Sequence, residues 1–115
     1  MEKRIYELNE SDWEPLRKDM TTGIVASPLV PPGTPIINTM LVRVAPGGEF
    51  AAHRDPYHHI FYFLQGHGEG WVAEEAYPIK GGVVAAIPAG VVHGYRNLAE
   101  EEMVLITLNI TAGTK

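Results

Sequence analysis

Apolar residues along this chain recur in short blocks, alternating or continuous, and spacing at every third or fourth position is weak throughout. In the stretch HIFYFL, residues 59–64, a period of two puts His59, Phe61 and Phe63 on one face and Ile60, Tyr62 and Leu64 on the other. Blocks of this kind predict strands at Gly23–Val30, Ile36–Ala45, Ile60–Leu64, Gly70–Glu74, Val83–Ile87, Val92–Asn97 and Met103–Ile110. Turn chemistry separates them: PPGTP at 31–35, Pro46-Gly47-Gly48, and a hairpin return in AYPIKGG at 76–82. One helical candidate remains, Ser11–Met20, where Ser11 and Glu14 have capping-box spacing and Pro15 limits the element to one or two turns. Strands of four to eight residues with a turn signal every ten or so predict a single all-β sandwich or barrel.

Composition narrows the picture. A chain of 115 residues suits one domain, and twelve glycines with nine prolines are too many for a helix bundle. The net charge of −5 supplies no basic stripe for phosphates, so a nucleic-acid partner is not expected. No cysteine is present, which excludes disulfides, thiolate metal sites and cysteine nucleophiles. The opening MEKRIYELNESDW lacks the apolar centre of a signal peptide, and no apolar run reaches the roughly 20 residues that span a bilayer. A cytoplasmic, non-membrane protein is the expectation.

All five histidines fall between residues 53 and 93, three of them in HRDPYHH at 53–59. His53 and Asp55 point together if the chain is extended there, His59 opens the next strand, and His93 opens another after the turn IPAGVV. If those strands neighbour one another, three imidazoles and one carboxylate meet at one end of the interior. His58 should face away from His59, and His67, in GHGEG, reads as a solvated turn residue. Tyr57, Tyr62, Arg43, Arg54 and Tyr95 are candidate donors at the pocket mouth, their direction depending on register. Trp13 and Trp71 read as packing residues.

At these positions the sequence resembles the cupin superfamily of small double-stranded β-helix (jelly-roll) barrels. The first cupin motif, G-x5-H-x-H-x3,4-E-x6-G, is matched in spacing by Gly47, His53, Asp55, His59 and Gly66. The second, G-x5-P-x-G-x2-H-x3-N, is met by Gly82, Pro88, Gly90, His93 and Asn97. Two identities differ: Asp55 stands where the family has its second histidine, and His59 where it has glutamate. The inventory of three imidazoles and one carboxylate is kept, so a divalent ion held by all four would still leave a site charge of about +1. The resemblance implies a single cupin domain over 1–115, with its core at about 36–110 after a short N-terminal extension. It also implies one divalent transition metal ion (Mn, Fe, Ni, Cu, Co or Zn) at His53, Asp55, His59 and His93. Asp55 either binds the ion directly or accepts a hydrogen bond from a ligand.

Such an ion leaves coordination positions for a small organic molecule, which implies a metal-dependent enzyme of dioxygenase, isomerase or lyase type whose substrate chelates the metal. Two alternatives stay open: a non-catalytic binding or sensory protein, and an iron oxygenase using His53, Asp55 and His93 as a facial triad. Strands such as HIFYFL, apolar on both faces, together with the habit of small cupins, imply a homodimer.

Overall fold

The computed structural model describes residues 9–28 and 37–112, which form nine strands. They are β1 (Glu14–Pro15), β2 (Thr21–Pro28), β3 (Asn38–His53), β4 (His58–Gln65), β5 (His67–Val72), β6 (Glu75–Lys80), β7 (Val84–Ile87), β8 (His93–Asn97) and β9 (Met103–Ile110). All pairings are antiparallel, in the order β6-β5-β8-β3-β9-β4-β7, with β2 along β3 and β1 along β2. The predicted all-β double-stranded β-helix is the observed architecture. Among the described residues no helix is long and apolar enough to cross a membrane.

Strand β3 makes the sheet curl. Its first half, Asn38–Val44, pairs with β9, and its second half, Glu49–His53, with β8. Pro46-Gly47-Gly48, expected to end a strand, instead bend one 16-residue strand from one wall to the other. Gly47 adopts φ of 77°, and a Cβ on Gly48 would meet Val44 and the Thr22 and Ala45 carbonyls within 3 Å. Leu29, Val30 and Ile36, predicted to lie in strands, fall outside the described residues, as does the PPGTP breaker.

The helical prediction for Ser11–Met20 gives way to a 3-10 turn, Glu10–Asp12, followed by β1. Asn9, not Ser11, is the cap: its side chain accepts from the Ser11 N–H, and Asp12 accepts from the Asn9 N–H at 2.8 Å. Pro15 has no N–H to continue a helix, and β1 needs only a short edge pairing with Val25 and Ala26.

The interior is filled by the alternation read from the sequence: Phe61 and Phe63 from β4, Val42 and Val44 from β3, Met103 and Leu105 from β9, with Tyr95 from β8. Asn97 closes one end. Its buried amide donates to the Val44, Ala45 and Glu101 carbonyls and accepts from the Ala99 N–H. Replacing Asn97 with alanine strands these groups, so a loss of roughly 2 kcal/mol is expected in a urea denaturation series.

Candidate metal centre

Four predicted residues reach one point by different backbone routes. His53 ends β3 directly opposite His93, which opens β8. Between Phe50 and His53 the β3–β8 register shifts by one residue. That bulge turns His53 to the same inner side as Phe50, and their rings stack at 4.3 Å. His59 sits in β4 opposite Ile87 and Asn109. Asp55 lies on no strand but in the loop between β3 and β4, so the loop brings its short side chain inward and reach is not limiting. Its carbonyl accepts the Gly90 N–H at 2.8 Å, and the Ala89 N–H donates to His58 Nδ1 at 3.0 Å. These two bonds latch the turn that delivers His93 onto the loop that carries Asp55. Gly90, with φ of 82°, makes that turn possible.

The hydrogen bonds fix how each ring presents itself. His53 Nδ1–H donates to the Ala51 carbonyl (2.7 Å), His93 Nδ1–H to the Val91 carbonyl (2.9 Å) and His59 Nδ1–H to Asn109 Oδ1 (2.6 Å). With each Nδ1 committed as a donor, each neutral ring turns its Nε2 lone pair the other way. All three point at one oxygen: Asp55 Oδ2 is 3.1 Å from His53 Nε2, 3.0 Å from His59 Nε2 and 3.9 Å from His93 Nε2. With all three rings neutral, four acceptors face one another, and a cation among them relieves their repulsion. His93 Nε2 is buried with no hydrogen-bond partner, and His53, Asp55 and His93 offer ligand atoms all within 4.8 Å of one another. Nitrogen and oxygen donors about 2.0–2.2 Å from an ion lie comfortably inside that span, so the donor set fits a divalent metal.

Electrostatics agree with this arrangement. Burial pushes the His93 imidazole down to about 4, with its Val91 bond opposing and His53 and His59 adding to the shift, so its lone pair stays available at neutral pH. Burial alone would raise the Asp55 carboxyl, but the hydrogen bond from Arg17, together with its charge, outweighs burial and holds Asp55 below its usual value. Burial, and then the Asp55 charge, raise the Tyr57 phenol.

Above the cluster opens a cavity of about 260 Å³. Leu16, Met40, Phe50, Phe61 and Tyr95 give it apolar walls, and Asn38, Thr107 and Asn109 a polar one. Of the proposed mouth donors, Tyr57 and Tyr95 line it. Tyr62 and Arg54 face solvent, and Arg43 points outward to Glu102 (3.0 Å) and the Trp13 ring (4.8 Å). His67 is exposed as expected, whereas His58 is half-buried by its bond to Ala89. Two residues with no motif to mark them belong to the site. Arg17 Nη1 donates to Asp55 Oδ1 at 2.9 Å, leaving Oδ2 to the histidines, and Asn109 orients His59 while donating to Asn38 (2.6 Å).

The family model for the cupin domain matches residues 40–109. Solved structures share the fold. KdgF from Halomonas sp. is 20% identical with a TM-score of 0.74, covering 96% of each chain. A predicted oxalate decarboxylase from Thermotoga maritima is 20% identical with a TM-score of 0.74, over 80% of this chain and 84% of that one. The polyketide cyclase RemF from Streptomyces resistomycificus is 16% identical with a TM-score of 0.78, over 95% and 81%. At such identities the likeness carries the fold alone. No curated protein sequence matches the chain.

Proposed function

Because this chain belongs to the cupin domain family, we propose that it is a divalent-metal-dependent enzyme acting on a small organic substrate that chelates the metal. The observation that carries this reading is the convergence of three Nε2 lone pairs on Asp55 Oδ2, each ring held by its own Nδ1 bond. His53, His59, His93 and Asp55 Oδ2 are the proposed ligands. A bound divalent ion would supply Lewis-acid polarisation of a substrate oxygen. Within the chain, Arg17 holds the second oxygen of Asp55, so the carboxylate presents one atom to the site. The apolar walls exclude water and leave room for a molecule smaller than a typical drug.

Reconstitution with Mn, Fe, Co, Ni, Cu or Zn, followed by desalting and elemental analysis, tests the metal directly: about one equivalent per chain is expected. The preferred ion should also raise the unfolding midpoint by about 10 °C at a hundredfold excess over its Kd. No uptake and no shift with any of the six would refute the metal reading. Metabolite binding without product in the loaded protein would assign a binding role instead of an enzymatic one.

The outer face of β4, β7 and β9 carries Tyr62, Leu64, Val84 and Ile110, all exposed. We propose that this face pairs two copies as a homodimer. Sedimentation at micromolar concentration should then give twice the chain mass, and a monomer there would refute it.

A further inference from the structure

Resting on the metal reading, we infer that the cavity takes a small carboxylate anion and that Arg17 is the residue that selects it. Among the described residues lining the cavity, Arg17 is the one permanent cation and Asp55 the one carboxylate. Arg17 is not on the barrel proper. It sits where the chain leaves β1 and crosses the cavity mouth towards β2, and it adopts φ of 47°, the left-handed region that non-glycine residues avoid. Local bonds hold it there: the Thr21 hydroxyl donates to the Leu16 and Arg17 carbonyls, and the Met20 N–H to the Arg17 carbonyl at 2.9 Å. An unfavourable backbone is thus maintained in a loop whose side chain, part-buried, lies over the Phe50 ring, 5.8 Å from its centroid.

The guanidinium carries five N–H donors in a planar fork, and Asp55 Oδ1 takes one nitrogen of it. Its remaining edge suits a second carboxylate, a pairing that is charge-assisted and geometrically selective. Charge points the same way. A divalent ion, Asp55 and Arg17 together leave a site near +2, so an anion is held more tightly than a neutral molecule of the same shape. The ligand class is therefore a small carboxylate with a vicinal oxygen, its carboxylate on Arg17 and its oxygens turned to the histidine cluster.

The test is calorimetric titration of the metal-loaded protein with pyruvate and with pyruvamide, its neutral counterpart of nearly equal shape, alongside elemental analysis. The parent is expected to bind pyruvate about tenfold or more tighter than pyruvamide. Arg17→Gln, compared at metal occupancy matched to the parent, should lose most of that preference, and Arg17→Lys should restore part of it. Equal binding of the two probes by the metal-bearing parent would overturn the inference while leaving the metal site standing. A preference surviving undiminished in Arg17→Gln would overturn it too, assigning the selectivity to the ion. Loss of metal in both variants would make Arg17 a positioning residue for Asp55 and overturn its role as anion anchor. A parent that takes up no metal refutes the underlying reading separately.

Discussion

Replacing His93 with alanine is expected to remove metal binding, lowering affinity by at least about a hundredfold and leaving a desalted variant with almost no bound ion. Of the three imidazoles, His93 is the most deeply buried, and its Nε2 has no hydrogen-bond partner. A buried acceptor without a partner is an expense the fold would shed unless something occupied the space before it. Burial also keeps this ring neutral, so binding a cation there displaces no proton at pH 7. His93→Gln separates chemistry from packing: it fills much of the same volume and should fold, yet lacks the aromatic nitrogen aimed at the cluster. Asp55→Asn decides the role of the carboxylate. If Asp55 binds directly, affinity should fall about as far as in His93→Ala; if it only orients the histidines, the loss should stay within about 10- to 100-fold. Full metal occupancy in both His93 variants would refute a site built on this residue.

Much of this arrangement is legible along the chain, and the illegible part has a physical reason. Alternation places Phe61 and Phe63 inside because a strand repeats every two residues, whatever its partner. The spacing of Gly82, Pro88, Gly90 and His93 is readable because one turn sets it locally. His53 is different. Plain alternation from Phe50 would turn residue 53 outward, and only the bulge against β8 turns it in, a feature of pairing between strands some forty residues apart. Arg17 and Asn109 are further from view. Arg17 meets a carboxylate 38 positions away, and Asn109 a histidine 50 positions away, through a strap and a strand whose neighbours no local pattern names. Arg43 shows the same dependence in reverse: its strand register turns it to Glu102 and Trp13, away from the cavity. The 3-10 turn at Glu10–Asp12 displaced a predicted helix because Asn9 caps one residue pair earlier and Pro15 joins an edge strand.

Phe63→Ala is expected to cost about 3–5 kcal/mol, a large part of the roughly 5–15 kcal/mol that holds a domain of this size together. Phe63 has no exposed surface, and its ring meets Tyr95 edge-on at 6.1 Å and Phe61 at 6.3 Å. Alanine forfeits those contacts and leaves a cavity that β4 cannot close by collapsing. Its backbone is fixed there by Phe63 N–H to the Val83 carbonyl and Gly82 N–H to the Phe63 carbonyl. The expected signature is a lower urea midpoint with an unchanged slope, because the native barrel persists and only its margin shrinks. Phe63→Leu, nearer in volume, should cost under about 1.5 kcal/mol, which separates lost volume from lost aromatic contact. The damage should also reach the metal. Phe61, which packs on Phe63, holds its ring 5.4 Å from His59 and 6.0 Å from His93. Loosening Phe61 frees both imidazoles to turn, so the alanine variant should bind metal more weakly even while folded. A cost below about 1 kcal/mol would mean that the Phe61–Phe63–Tyr95 cluster is not the rigid floor on which the histidines stand.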